Sequence, residues 1–182
     1  MDSREPGAFP ERLEPRDLPR IVDEFAARAM ALAMNILGNR EDAEDACQEA
    51  FLQVFRNLER FDNRAGFQTW LFTILFRRCL DVIRKRKRTF RLYERAKVEH
   101  IRAMADSRSA RETDGRLTAA ILTALSTKER TALSLWANEG YTAEEISRVI
   151  HTSAGTARVH LFQARKKLKA ILERNDGALQ NS

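Results

Sequence analysis

Every proline of this chain falls before residue 20: Pro6, Pro10, Pro15 and Pro19. Beyond them the backbone lacks the one residue that removes an amide donor and blocks the helical turn. Glycine, the other breaker, occurs seven times in 182 residues. Such a chain is expected to be helical wherever apolar residues recur every three or four positions. They do so at Ile21, Phe25, Ala29, Leu32, Ile36 and Leu37, a first helix that Gly38 ends. Asn39 offers an N-cap, and Glu41 and Asp42 suit the first turn of a second helix. That helix is expected to reach about Arg60, with Ala43, Cys47, Ala50, Val54 and Leu58 on one face. Phe61 to Gly66 has turn composition, and a third helix is expected from about Phe67 to Arg88.

The stretch from Thr89 to Arg116 is polar and highly charged. It reads either as a helical extension or as a flexible tether, and a linker with some helix fits it best. Order resumes at Leu117. Ser126-Thr127-Lys128-Glu129 and Thr142-Ala143-Glu144-Glu145 are capping boxes that open two helices, with Gly140 closing the first. A last helix starts after Ser153 and is expected to run to about Glu173. The fold class is therefore all-α: two small helical domains, residues 18–90 and 115–174, joined by a charged linker at 91–114. Residues 1–17 are expected as a disordered N-terminal tail and 175–182 as a C-terminal one.

Several function classes lose support at this level. No stretch approaches the ~20 apolar residues that cross a bilayer, so membrane insertion is not expected. Met1 to Arg20 is rich in proline and charge and lacks the apolar segment of a signal peptide, which points to a cytoplasmic protein. Cys47 and Cys79 lie far apart, each in an apolar helical pattern, with no CxxC or Cys/His cluster. They are expected to be buried reduced thiols, with no metal and no cofactor. His100, His151 and His160 are scattered, and neither a nucleophile–base arrangement nor a glycine-rich phosphate loop is readable, so an enzyme is the least supported reading. A net charge of +6 points weakly to a polyanionic partner. The distribution says more. Glu41 to Glu49 holds five carboxylates and no base, whereas Arg84 to Arg91 holds six bases and no acid. Two such surfaces imply two different partners.

The C-terminal domain has the layout of a helix-turn-helix. Thr142 to Ile150 is a short helix, His151-Thr152-Ser153 a tight connection, and Ala154 opens the longer helix that would enter a major groove. On it Ala157, Leu161, Ala164, Leu168 and Ile171 form a packing stripe. Arg158, Val159, Phe162, Gln163 and Lys166 fall on the outer face, flanked by Arg165, Lys167 and Lys169. Arg158 could bond guanine at two points and Phe162 touch a thymine methyl, while the basic residues meet phosphate. His151 occupies the turn position that favours glycine and must accept a left-handed backbone. Ser147 and Ala157 stand where alanine and a β-branched residue usually pack.

The third helix is apolar nearly all round, through Trp70, Leu71, Phe72, Ile74, Leu75 and Phe76. It is either a central buried helix or one that keeps an aromatic exposed for stacking on unpaired bases. Here the residues resemble a known family. Asp42-Ala43-Glu44-Asp45-Ala46-Cys47-Gln48-Glu49-Ala50-Phe51-Leu52, then Arg60-Phe61-Asp62, then Phe67-Gln68-Thr69-Trp70-Leu71 are similar to region two of extracytoplasmic-function (ECF) sigma factors. Leu125-Ser126-Thr127-Lys128-Glu129-Arg130, Glu139-Gly140-Tyr141-Thr142-Ala143-Glu144-Glu145-Ile146 and Gly155-Thr156-Ala157-Arg158 resemble region four. The two matches cover about residues 18–90 and 115–172, in the family's order.

The resemblance implies an alternative sigma factor that binds core RNA polymerase and directs it to specific promoters. It implies that Asp45, Gln48, Glu49, Leu52 and Phe55 dock on the clamp helices of the largest polymerase subunit. Asn63, Arg64, Phe67, Trp70, Arg77 and Arg84 would hold the melted minus-ten element. Thr156, Arg158, Val159, Phe162, Gln163 and Lys166 would read the minus-thirty-five element as duplex. The flap of the second polymerase subunit, promoter DNA and an anti-sigma factor are the further partners it implies. Arg77 stands where region two often has asparagine, and Phe76 replaces a common arginine. Val159, His160 and Gln163 also depart from the polar or basic residues frequent in the recognition helix. These departures bear on which promoter is read. The rival readings are a free-standing helix-turn-helix regulator, which leaves the acidic helix unexplained, and a sigma-mimicking interaction protein, which leaves the basic surfaces unexplained.

Overall fold

Residues 15–61, 66–96 and 120–179 are described by the computed structural model, and among them the ordered elements are all helices. A 3-10 turn, Pro15–Asp17, leads into α1, Leu18–Leu37. Then come α2, Arg40–Arg56, a second 3-10 turn, Leu58–Arg60, and α3, Phe67–Ala96. Residues 120–124 form α4, followed by α5, Thr127–Glu139, α6, Ala143–Val149, and α7, Ala154–Leu179.

The local signals act as the residues suggest. Gly38 leaves α1 at φ 67°, and Asn39 takes the extended backbone of an N-cap, its side chain accepting from Asp42 N at 3.0 Å. Both capping boxes close: Ser126 N donates to Glu129 at 2.7 Å and Thr142 N to Glu145 at 2.8 Å. Gly140 ends α5 in the left-handed region, and His151 adopts φ 49° in the connection before α7.

Four boundaries differ from expectation. Helix α2 stops at Arg56, because Asn57 turns its side-chain amide back onto Gln53 O at 2.8 Å and the chain tightens into a 3-10 turn. Helix α3 continues eight residues past Arg88, since its end, Thr89 to Ala96, holds neither proline nor glycine to stop it. The first part of the expected linker is thus helical, and the remainder lies outside the described residues. Helix α7 likewise runs on to Leu179, into the expected C-terminal tail. Of the N-terminal tail, Pro15–Asp17 is ordered as a helical turn, and residues 1–14 lie outside the described residues.

Helices α1, α2 and α3 pack on one another around Ile21, Phe25, Ala29, Leu32, Ile36, Ala43, Cys47, Ala50, Val54, Leu71, Phe72, Leu75 and Phe76. Phe72 and Phe76 are fully buried, so α3 is the central helix, and truncating either to alanine would cost about 3–5 kcal/mol. The thiols of Cys47 and Cys79 lie in this core as free cysteines, and burial pushes them up to about 11 and about 12. The C-terminal helices pack on α7 through Leu125, Ala157, Ala164 and Ile171. The two modules also pack on each other, α1 against α5 and α3 against α6. The largest apolar cluster crosses that seam, uniting Leu32, Ile36, Phe72 and Phe76 with Ala132, Leu135, Tyr141, Ile146, Val149 and Ile150.

Candidate nucleic-acid and protein-docking surfaces

The outer face of α2 follows from its inner one. With Ala43, Ala46, Cys47, Ala50 and Val54 buried, the helical period turns Asp45, Gln48, Leu52 and Phe55 to solvent, with Glu49 half-buried beside them. Leu52 is 48% exposed and Phe55 43%. Two large apolar side chains at i and i+3, with Asp45 and Glu49 in the turns before them, form a surface suited to a basic protein partner. Glu49 has a loose contact to Arg56 at 3.9 Å, and both side chains reach solvent, so the pair adds little to stability.

At the start of α3, Phe25, Phe61, Phe67 and Trp70 form one aromatic cluster, with ring centroids 5.1 to 5.8 Å apart. Phe67 is buried in it and Trp70 half-buried. The cluster braces both ends of the 62–65 connection; Asn63 and Arg64 fall outside the described residues. Along α3, Arg77 is exposed and Arg84 is exposed beside Asp81, 3.0 Å away. The basic run beyond is not uniform. All five residues from Arg84 to Arg88 are exposed, but Arg86 also forms an ion pair with Asp42 and donates to Leu37 O, the last carbonyl of α1. A cation there offsets the negative end of the α1 dipole.

On α7 the stripe and the outer face separate cleanly. Ala157 and Ala164 are fully buried, while Thr156, Arg158, Val159, Gln163 and Lys166 are exposed and Phe162 is 63% exposed. Ser153 caps the helix, accepting from Thr156 N at 3.1 Å and pairing with the Thr156 hydroxyl at 2.9 Å. The Arg158 guanidinium lies on Glu144 of α6 across the helix-turn-helix, within reach of solvent. Glu129 ties the module together. Burial pushes its carboxyl up, but hydrogen bonds from Lys167, 2.7 and 2.9 Å away, and from Ser126 outweigh it and hold the pKa below the usual value. Between α5 and α7, Leu133, Trp136, Leu168 and Leu172 line a shallow apolar groove, with the Arg165 guanidinium 4.8 Å from the Trp136 ring.

A further set of residues, which no sequence pattern singles out as functional, joins the modules. Glu139, its side chain 8% exposed, accepts from Arg28 of α1 and, at 2.8 Å, from Gln68 of α3. Asn35 donates to Ser134 at 2.9 Å, Thr69 to the Tyr141 hydroxyl at 3.3 Å, and Arg77 Nε to His151 Nε2 at 2.9 Å. Arg130 reaches Ile36 O at 2.9 Å as well as the carbonyls of Leu122 and Leu125. Burial pushes the Tyr141 phenol up to about 12 and lowers Arg130. One signal for this seam is present in the sequence. Glu139 is an acid in the last turn of α5, the wrong charge for that end of the dipole, so it needs a cation from elsewhere.

Among the described residues no group of three or more metal-ligating side chains occurs, and no described helix is long and apolar enough to cross a membrane.

Residues 21–89 match the family model of sigma-70 region 2, and residues 116–168 that of sigma-70, region 4. The ECF RNA polymerase sigma factor SigE of Mycolicibacterium smegmatis is 31% identical over 167 residues, 89% of this chain and 64% of the relative. SigW of Bacillus subtilis, also an ECF RNA polymerase sigma factor, is 29% identical over 163 residues, 84% of this chain and 87% of the relative. The chain thus spans about two thirds of the length of the first and most of the second. Two solved structures share the fold. The sigma factor RpoE in complex with the anti-sigma factor NepR, from Bartonella quintana, superposes with a TM-score of 0.71 at 22% identity, over 87% of this chain and 98% of that one. CnrH in complex with the cytosolic domain of CnrY gives 0.64 at 24% identity, over 88% and 90%. The chain belongs to the ECF group of bacterial RNA polymerase sigma factors.

Proposed function

We infer that the chain is a promoter-specificity subunit that works by binding two macromolecules at once. The outer face of α2, through Asp45, Gln48, Glu49, Leu52 and Phe55, docks on core RNA polymerase at the clamp helices of its largest subunit. The observation that carries this is the pair Leu52 and Phe55, exposed on the helix face that also carries Asp45, Gln48 and Glu49. The apolar groove at Trp136 suits a helix of the second subunit's flap. Promoter DNA is taken by two further surfaces. Trp70, Arg77 and Arg84, with Asn63 and Arg64 in the adjoining connection, hold the minus-ten element as single strand, while Phe67, expected beside them, is buried and serves instead to brace the Trp70 ring. Thr156, Arg158, Val159, Phe162, Gln163 and Lys166 enter the major groove at the minus-thirty-five element, where Arg158 leaves Glu144 to bond a base edge. No catalytic step is assigned to the chain; it acts in the cytoplasm, where polymerase and promoters are. One sigma factor of similar fold was solved with an anti-sigma factor, and an anti-sigma factor covering these surfaces is the expected regulator here too.

The test is binding to purified core polymerase, wild type beside Glu49→Arg. Because the Glu49–Arg56 contact is loose, the variant should keep its circular dichroism spectrum while its affinity falls at least about tenfold, as expected for an inverted charge in a complementary interface. Absence of binding by the wild-type chain, free of any anti-sigma factor, would sink this reading and leave a free-standing DNA-binding regulator.

A further inference from the structure

Between residues 120 and 166 the chain carries four carboxylates, and three of them hold the fold together. Glu129 takes Lys167 and the backbone N–H of Ser126, Glu139 takes Arg28 and Gln68, and Glu145 closes the capping box of α6 on Thr142. Glu144 is the fourth. Its carboxylate stands in solvent in the first turn of α6 and meets the Arg158 guanidinium on the outer face of α7. With side-chain exposures of 55% and 63%, this is a surface ion pair that contributes little to stability. A negative charge there also opposes the phosphates that the face approaches. The pair is nevertheless set on a rigid base. Ile146, Val149 and Ala157 have no exposed surface and lock α6 against α7, so both side chains spring from one packed unit.

In the major groove a G·C pair presents guanine N7 and O6 as acceptors and then cytosine N4 as a donor. O6 and N4 face each other at about 2.9 Å, an ordinary hydrogen-bond length. A guanidinium and a carboxylate whose tips already touch match that edge in spacing and in polarity. The cation fits the two acceptors, and the carboxylate fits the donor beside them. A C·G pair sets the donor under the cation instead. An A·T pair gives the cation one acceptor and one donor, and puts thymine O4 under the carboxylate. A T·A pair offers one acceptor and one donor, but its methyl group replaces the second acceptor. Only G·C in one orientation satisfies every contact.

We propose that Glu144 is a specificity-determining residue of the duplex reader: as Arg158 leaves it for guanine O6 and N7, its freed carboxylate accepts from N4 of the paired cytosine. This rests on the promoter-reading function above. The six residues assigned to the minus-thirty-five element all lie on α7, and Glu144 adds a reader from α6. One ion pair is exchanged for contacts to both bases of one pair, so the carboxylate near DNA is satisfied only where that pair is present.

The test uses the chain bound to core polymerase and a pool of duplexes randomised over both promoter elements, from which bound sequences are enriched and read. Wild type should enrich a G·C pair of fixed orientation at one position of the upstream element, and Arg158→Ala should lose that preference. Glu144→Ala should keep its melting temperature, yet lower the preference at that position about fivefold or more, the discrimination of one good base contact. Preferences at the other positions should stay. A contribution of Glu144 to folding alone would move the melting temperature and leave base preference untouched. Altered bases in the enriched duplex then separate the two groups. N4-methylcytosine opposite the guanine covers the donor in the groove, and should weaken wild type about fivefold without affecting Glu144→Ala. Guanine lacking N7, as 7-deazaguanine, should weaken both. Equal cost of N4-methylation in wild type and Glu144→Ala, or an unchanged base preference in that variant, would overturn the proposal while leaving the promoter-reading function in place. If the wild-type complex enriches no upstream sequence, that function falls and the proposal falls with it.

Discussion

Position 38 favours glycine, for two reasons that add. Its φ of 67° lies in the left-handed region, which costs an L side chain about 1–2 kcal/mol, and a Cβ would press on Leu122 across the seam. Gly38→Ala should lower the urea midpoint by at least the backbone cost, and Leu122→Ala in the same chain should recover only the part due to the clash. His151 also holds a left-handed backbone, at φ 49°, and its neutral Nε2 accepts from Arg77. Burial, then the charges of Arg77 and Lys128, lower its pKa from the ordinary 6.5. The neutral form is therefore favoured in the folded chain, because the imidazolium cannot accept this bond and is disfavoured by the two cations. This contribution to stability is whole above about pH 6.5 and is lost as the pH falls through the lowered value. The ring is exposed, so the effect is small. It should appear as a difference in melting temperature between wild type and His151→Asn that narrows or reverses from pH 7.5 to pH 5.5. Asparagine keeps the tolerance for the backbone and removes the titration. A difference independent of pH would show that protonation of His151 is not coupled to folding.

At the scale of elements, the basic end of α3 divides into two roles that its sequence presents as one run. Lys85 and Lys87 face solvent, whereas Arg86 is anchored on Asp42 and Leu37 O. Lys85→Ala with Lys87→Ala should reduce promoter binding by the polymerase-bound chain and flatten its dependence on log salt, by about 0.7–0.9 for each phosphate that is no longer neutralised. Arg86→Ala should instead lower stability and leave the salt slope unchanged; the reverse pattern would refute the division. Which helices form was legible because their signals are local. Asn39, Gly38, Gly140 and the two capping boxes act within four residues, and the buried stripes of α1, α2 and α7 follow from helical spacing. Helix ends were less legible, as at Arg56 and Ala96, because fraying, a 3-10 turn and continued helix differ by little free energy. The exposed faces carrying Leu52, Phe55, Arg158 and Phe162 were readable as the complement of those stripes. The seam was not. Arg28, Asn35, Gln68 and Arg130 are polar residues at the edge of apolar faces, the usual composition of a solvated rim, and only the partner module distinguishes them from one. Trp70 and Phe67 show the same limit, since apolarity all round α3 does not say which ring remains near solvent.

For the whole molecule, the distribution of the core decides how it unfolds. The N-terminal module holds the six largest fully buried side chains, Phe72, Phe76, Ile21, Ile36, Leu71 and Leu75. The C-terminal module has a small core of its own around Leu125, Ala164 and Ile171, while its Ala132, Leu135, Ile146, Val149 and Ile150 belong to the cluster that crosses the seam. Separating the modules exposes part of that shared surface, and the C-terminal one has less left to hold it together. Wild-type chain is therefore expected to melt in one calorimetric transition whose van't Hoff and calorimetric enthalpies agree, although it contains two helical modules joined by a charged linker. Glu139→Arg should split the melt in two. The lower transition should belong to the C-terminal module, followed through the fluorescence of Trp136, which lies in it, with Trp70 replaced by Phe to silence the other indole. Arg28→Glu in the same chain should merge the two transitions again. Two transitions in the wild type would mean that the shared cluster does not couple the modules. One unchanged transition in Glu139→Arg would mean that the apolar part of the seam holds them without the ion pair, and the coupling would then be sought at Tyr141 and Phe72.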